Sequence, residues 1–392
     1  RDFYAEVIKE VNALNKAVMA IDIPSGLNAD TGQIMGTAIK ADLTVAFGYP
    51  KVGELLFPGA DLVGRLVRVD IGIPEMVAGR VPGYCSMTEP TDFLNLLNPE
   101  REDIHKGNRG HLLILAGSKG KTGAAALTSL GAVRAGVGLV TLGIPESLNH
   151  IMEVKLTETM TTPLPETAEG SLSLEALKKI DPLLEGKTAL AIGPGLSTHE
   201  ETAALVRQIL KKTTLPVVID ADGINALAGN LSVLEGRQAP TILTPHPGEM
   251  GRLIGVKSAD LQNNRIDCSA RFVDEWECHL VLKGARTLIT DPDGTLHVNP
   301  TGNPALASGG TGDVLTGLIG GFLARGWPPA TAAMGGVYLH GLAADLLAEE
   351  MGGTGILAGE LLNVLPELMS LLSQGEWPME QQPPHADFYR PL

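Results

Sequence analysis

His111–Pro145 reads HLLILAGSKGKTGAAALTSLGAVRAGVGLVTLGIP. Two short apolar runs, HLLILAG and GLVTLGIP, flank a glycine-rich turn and a segment rich in Ala and Leu. An apolar run without alternation is the pattern of a strand buried on both faces, as in a parallel sheet. Parallel strands need a crossover of a dozen or more residues, and Gly123–Ala135 supplies a helix of that size. Outward from this unit the alternation recurs in TALAIGPG, LPVVIDAD, APTILTP, CHLVLKG, RTLITD and TLHVNP. Helices are predicted at Glu200–Lys211 and Asp313–Arg325, and the pattern continues to about Ser373. Asp291-Pro292-Asp293-Gly294 has the composition of a type I turn joining the last two strands. The expected fold is α/β, a mostly parallel sheet with helices on both faces.

Upstream, AVMAIDIP, ADLTVAFG and GRLVRVDIGIP repeat the pattern on a smaller scale. A helix is predicted at Asp2–Lys16, with strands at Ala17–Ile23, Leu43–Phe47 and Leu66–Val69, again read as buried on both faces. Arg1 is not Met and the helix follows it at once, so the chain is expected to begin inside a domain. Between about Pro74 and Asn108 the periodicity lapses into Pro, Gly, Glu and Asp, and after Gly375 the chain is rich in Pro and Gln. At ~150 residues per domain, 392 residues call for more than one. The expected division is 1–80, a linker at 81–105, a main domain at 106–375 and a loose tail at 376–392.

The formal net charge of −15 repels nucleic acid and anionic membranes, so neither is an expected partner. No run of about 18 apolar residues is present to span a bilayer. Cys85, Cys268 and Cys278 include no CxxC, which fits a reducing, cytoplasmic setting. His105, His111, Cys268 and Cys278 lack metal-ligand spacing and are assigned no metal. An anionic small ligand remains compatible with the charge, because helix ends attract locally what the whole molecule repels.

The densest functional cluster is Asn299–Gly317, NPTGNPALASGGTGDVLTG. Gly309, Gly310 and Gly312 precede an apolar helical pattern, and Asp313 stands in its first turn. Bare N–H groups at a helix start, approached through residues without Cβ, make an anion site. Asp is also a plain cap there, but a cap does not need that much permissive backbone. A carboxylate beside bound phosphate suits a general base that deprotonates a hydroxyl. Gly117–Gly123, GSKGKTG, is not a P-loop, which would need glycine where Leu115 stands. It still brings Gly123 and Ala124 to the carboxyl end of a strand, where α/β sheets bind ligands, with a close-packing turn as the alternative. Gly193–Gly195, Asp220–Gly223 and Thr244–Glu249 follow strands and share that rim. His246 sits between two prolines as either a ligand contact or a structural loop residue. Asp222 reads equally as the cap of a helix starting at Ile224. Lys283–Thr287 suits a nucleotide phosphate or an ordinary basic turn.

In this order HKGNRGHLLILAGS, TGAAALTSLGAVRAGVGLVT, IGPGLS, VVIDADGINAL, ILTPHPGEM, VLKGARTLI and NPTGNPALASGGTGDVLTGLIGGFLARG resemble the ADP-dependent NAD(P)H-hydrate dehydratases, which have the ribokinase-like fold. AIDIPSGLNADTG and KVGELLFPGADLVGRLVRVDIGIP resemble the C-terminal half of the NAD(P)H-hydrate epimerases. Together they resemble the bifunctional bacterial nicotinamide-nucleotide repair proteins. The resemblance implies a ribokinase-like domain at 106–375, preceded by a partial Rossmann-like α/β domain at 1–80. By the resemblance, an Asn/Gly-rich phosphate loop and further strands belong upstream of residue 1, and the domain at 1–80 is expected to be partial without them. The implied reaction is ADP- or ATP-dependent dehydration of the S hydrates of NADH and NADPH (NADHX and NADPHX), with epimerisation of R and S forms by a complete N-terminal domain. By correspondence Asp313 is the base. Lys283, Gly284, Ala285, Arg286, Thr287, Asn303, Ser308, Gly309, Gly310, Thr311 and Gly312 hold the nucleotide, while Ala124, Gly195, His246 and Asp313 contact the hydrate. Asp22 contacts the hydrate in the epimerase-like half, where Ser25 is a potassium ligand. Magnesium on the phosphates and a homo-oligomer are also implied. The alternative is a ribokinase-like kinase of a vitamin-precursor alcohol, which releases a stable phosphorylated product.

Overall fold

The computed structural model describes residues 2–78, 85–98, 103 and 105–379. Their strands are β1 (Met19–Ile21), β2 (Leu43–Phe47), β3 (Arg65–Val69), β4 (Cys85–Met87), β5 (His111–Leu115), β6 (Leu139–Pro145), β7 (Met160–Leu164), β8 (Ala189–Ile192), β9 (Val217–Ile219), β10 (Thr241–Leu243), β11 (His279–Leu282), β12 (Leu288–Thr290) and β13 (Leu296–Val298). β1, β2 and β3 form a small parallel sheet. The other ten form one sheet in the order β4-β13-β12-β11-β10-β9-β8-β5-β6-β7. Only β12 runs against its neighbours, paired antiparallel to β11 and β13. The turn at Asp291–Gly294 joins β12 to β13 and closes with the Gly294 N–H donating to the Asp291 carbonyl at 2.9 Å.

Side chains along a strand alternate between faces, and β5 shows why an uninterrupted apolar run was needed. Leu112 and Ile114 enter one core layer, Leu113 and Leu115 the other, and all four are fully buried. The first layer is completed by helices Thr122–Arg134, Thr311–Ala324, Pro329–Met351 and Ala358–Ser373. The second is completed by Glu200–Lys212, Pro247–Ile254 and Arg265–Trp276. Because these strands are parallel apart from β12, the loops after β5, β8, β9, β10, β11 and β13 all emerge on one rim.

Two strands were not anticipated. β7 contains Pro163, whose missing N–H is tolerated because β7 is an edge strand. β4 lies in the segment expected as linker and pairs with β13 at the opposite edge. The small sheet also corrects an expectation, since it is not buried on both faces. Ala20, Thr44 and Ala46 are buried, but Met19, Ile21 and Phe47 on the other face are 62%, 68% and 40% exposed. Val67 shares that second face and is buried, so its cover is confined to the β3 side. The tail expected to be loose lies outside the described residues beyond Met379.

Candidate active site

The glycine loop ends where Gly310 takes φ +97° and caps helix Thr311–Ala324. Such a backbone suits a residue without Cβ, and an added Cβ would also press to 2.6 Å from Leu127 Cδ1. The Thr311 hydroxyl donates to the Leu306 and Ser308 carbonyls at 2.8 and 3.0 Å, folding the loop back on the helix start. His340 is buried, which pushes its imidazole down to about 4. Its Nε2 therefore carries a neutral N–H, which donates to the Thr311 carbonyl at 2.9 Å. The first N–H groups of a helix have no intrahelical acceptor, so a donor-rich mouth results.

Asp313, in the first turn, feels the charges of three groups from other elements, Asp220, Lys283 and Asp222. Lys283 at the end of β11 places Nζ 2.8 Å from Asp220 Oδ1 and 4.0 Å from Glu249 Oε2. It also lies 3.5 Å from where a Cβ on Gly312 would stand. Asp220 is buried and accepts two more hydrogen bonds, from Thr244 Oγ1 at 2.8 Å and Thr316 Oγ1 at 2.6 Å. Burial chiefly, then the negative charge of Asp220, pushes the Asp313 carboxyl up to about 7; Lys283 opposes this and Asp222 adds to it. The rise from 3.8 to about 7 corresponds to roughly 4 kcal/mol against ionisation. A helix N-terminus returns only about 0.3–2 kcal/mol. The result is a carboxyl that changes charge near neutral pH. Burial alone would lower the Lys283 ammonium, but Asp220, Glu249 and Asp313 outweigh it and hold it above its ordinary value.

Ala124 and Gly195 stand side by side. Gly195 has φ +66°, and a Cβ there would lie 3.0 Å from Ala124 Cβ. Ser118 Oγ donates to the Gly195 carbonyl at 2.7 Å. Asp222, open in the sequence between cap and ligand contact, stands in the first turn of helix Asp222–Asn225. It accepts from Lys121 Nζ at 2.9 Å and the Ser197 N–H at 2.8 Å. His246 caps helix Pro247–Ile254, with Nδ1 accepting from the Gly248 N–H at 2.9 Å. Glu249 Oε2 accepts from the His246 N–H at 2.8 Å, a reciprocal capping box. With Nδ1 occupied, the neutral ring keeps its proton on Nε2, which lies 3.5 Å from Glu249 Oε1 on a half-exposed side chain. Glu249 thus links His246 to Lys283, and through it to Asp220.

Of the expected nucleotide set, Lys283 pairs with Asp220 and the rest lie on two neighbouring loops. Arg265 pins the first, donating to the carbonyls of Leu282 (3.2 Å), Ala285 (2.9 Å) and Arg286 (3.1 Å). Arg286 takes φ +55° and donates to the Pro300 carbonyl on the second loop. Thr287 Oγ1 closes the first loop on the Gly284 carbonyl at 3.0 Å, and Ser308 Oγ donates to the Ala305 carbonyl at 3.2 Å. Sequence reading set Asp220 on the shared rim and Thr316 inside the Asn299–Gly317 cluster without giving either a role, and it passed over Arg265. In the small sheet Asp22 has φ +69° and pairs with Lys51 Nζ, a hydrogen bond that holds its carboxyl below the ordinary range against the effect of burial. Ser25 is exposed, and its carbonyl accepts from the Ile39 N–H at 2.9 Å.

Among the described residues no three His, Cys, Asp or Glu side chains gather to hold a metal ion. No described helix is long and apolar enough to cross a membrane.

Residues 112–367 match the family model described as NAD(P)H-hydrate dehydratase, and residues 1–53 match that of the YjeF-related protein N-terminus. A bifunctional NAD(P)H-hydrate repair enzyme of Moorella thermoacetica is 44% identical over 373 residues, covering 94% of this chain and 70% of its own. The Escherichia coli repair enzyme is 34% identical, covering 94% and 68%. The crystal structure of the ADP/ATP-dependent NAD(P)H-hydrate dehydratase from Bacillus subtilis, co-crystallised with ATP and Mg2+, is 36% identical. It superposes with a TM-score of 0.65 and covers 73% of this chain and 98% of its own. A ribokinase-like superfamily protein from Enterococcus faecalis is 25% identical with a TM-score of 0.64, covering 75% of this chain and 98% of its own. The ten-stranded sheet is therefore ribokinase-like, and the chain belongs to the family of bifunctional NAD(P)H-hydrate repair enzymes.

Proposed function

We propose that the chain dehydrates the S forms of NADHX and NADPHX with ADP or ATP as phosphoryl donor. The observation that carries this reading is Asp313, poised near neutral pH at a glycine-lined helix start and faced by a paired lysine. Asp313 removes the proton of the ring hydroxyl, whose oxygen attacks the terminal phosphoryl group of the nucleotide and displaces AMP from ADP, or ADP from ATP. The amides at Gly310–Gly312 stabilise the phosphoryl oxygens, and the Lys283 ammonium adds positive charge beside them. The ring-nitrogen lone pair then expels phosphate, and loss of a proton from the adjacent ring carbon restores the dihydropyridine. Ala124, Gly195 and the Nε2–H of His246 hold the hydrate. The loops at 283–287 and 303–312 hold the nucleotide.

Magnesium does not fit a protein cage here, since both Asp220 oxygens already accept from lysine or threonine; a phosphate-bound ion keeping its waters is the compatible form. Nor does the lone exposed Ser25 make a potassium cage. The small sheet supports epimerisation of R and S hydrates only through the Asp22–Lys51 pair.

The test follows the near-ultraviolet absorbance of reduced nicotinamide on mixed R and S NADH hydrate with nucleotide and magnesium. Recovery that stops near half identifies a dehydratase alone. Recovery of nearly all, faster than spontaneous epimerisation, adds a working epimerase. A stable phosphorylated alcohol and no recovery would favour the vitamin-precursor kinase.

Two further results are expected. Because Asp313 must be ionised to act, kcat/KM should rise with pH through about 7. Asp220→Asn removes a charge that raises Asp313, so this limb should move to lower pH; an unmoved limb would show that Asp220 does not tune the base. His246→Ala should raise KM for the hydrate more than it lowers kcat, and an unchanged KM would remove His246 from that subsite.

A further inference from the structure

The two loops assigned to the nucleotide are joined by one carboxylate that sequence reading did not single out. Asp345, on helix Pro329–Met351, accepts from the Gly302 N–H with Oδ2 at 2.8 Å. Its Oδ1 accepts from Asn303 Nδ2 at 2.9 Å. The other end of the Asn303 carboxamide is occupied too, because Oδ1 accepts from the Ala305 N–H at 2.9 Å. The amide is thereby fixed in one orientation. On its remaining side Asp345 acts electrostatically on Arg286, which in turn donates to the Pro300 carbonyl. Arg286 belongs to the loop after β11, and Pro300, Gly302 and Asn303 to the loop after β13. Without the carboxylate, the half-buried guanidinium would lose its counter-charge and the carboxamide would be free to turn.

We propose that Asp345 is a positioning residue that ties these two loops into one nucleotide-holding unit. This rests on the nucleotide-dependent reading above. The chemistry follows from charge-assisted hydrogen bonds being stronger than neutral ones. Asp345 does not reach the reacting atoms and acts through Asn303 and Arg286, so its loss changes affinity for the nucleotide and not the rate at saturation.

Asp345→Asn is nearly isosteric. Its carboxamide oxygen can still accept from the Gly302 N–H, but its NH2 then faces the NH2 of Asn303, donor against donor. KM and Kd for ADP should rise by roughly 10–100-fold, while saturating kcat and KM for the hydrate stay within about twofold. Adding Asn303→Asp to that variant restores a donor–acceptor pair with the charge moved across, and part of the ADP affinity should return. An unchanged Kd for ADP would overturn the proposal. So would an equal loss in both Michaelis constants and kcat, or a double variant no better than the single one. Calorimetric ADP binding separates the two readings. A wild-type chain that binds ADP but restores no reduced nicotinamide would sink the dehydratase reading and leave Asp345 to be judged on Kd.

Discussion

Asp313→Ala is expected to lower turnover by roughly 10²–10⁴-fold, the range typical of a lost general base, while ADP binding changes little. Asp313 is the ionisable group held near neutral pH at the mouth of the glycine loop, and its partners serve that state. Burial and then Asp220 raise it, and Lys283 opposes the rise. ADP should still bind, because the helix-start amides and the two loops are intact. Removing a negative charge from a phosphate site can only ease the approach of an anion. The check is single-turnover dehydration beside calorimetric ADP binding. Near-normal turnover would show that another group takes the hydroxyl proton.

Gly317→Val is expected to have the largest effect on folding. Helices Thr122–Arg134 and Thr311–Ala324 cross with glycines at their contact. A Cβ on Gly317 would stand 2.2 Å from the Thr128 carbonyl oxygen and 2.9 Å from the Ala132 nitrogen. Facing it, a Cβ on Gly131 would stand 2.6 Å from the Val314 carbonyl oxygen. These neighbours are backbone atoms and have no rotamer into which to retreat. Overpacking usually costs about 1–3 kcal/mol, and a branched side chain against main chain belongs at the upper end. A loss of about 3 kcal/mol would lower Tm by roughly 6–12 °C in a large domain. Gly359→Ala is the control, with nothing within 4 Å of the new methyl group. If both variants melted together with the wild type, the close helix crossing would be wrong. Since Ala124 and Asp313 ride on the first turns of these helices, a folded Gly317→Val enzyme should also bind the hydrate more weakly.

The strands of the large sheet were legible wherever a continuous apolar run met Gly or Pro, because burial on both faces writes itself locally. β7 and β4 left no such mark: MTTPL and CSM become strands through the neighbours they pair with. The small sheet was over-read, since its short apolar runs look like doubly buried strands although one face is largely open at β1. In the candidate site, Asp313 and the glycines were readable because a helix start has a local signature. His246 stayed open between ligand contact and structural loop residue, and its place as a helix cap was not read. The pairing of Asp220 with Thr316 was not readable, for that hydrogen bond joins residues 96 apart in sequence. Arg265 and Asp345 likewise gain their roles only through the loops they hold, and nothing in their own surroundings in the chain announces it.

The reversed strand β12 also determines where this enzyme can be interrupted. β11 and β13 both run toward the site rim, so the turn joining β12 to β13 lies at the opposite end of the sheet. Pro292, Asp293 and Gly294 are exposed there. New termini, or an inserted reporter domain, placed between Asp293 and Gly294 would leave the loops after β11 and β13 and the Asp345 carboxylate intact. The strand that breaks the parallel order thus gives the molecule a seam, remote from its chemistry, at which the chain can be opened and extended.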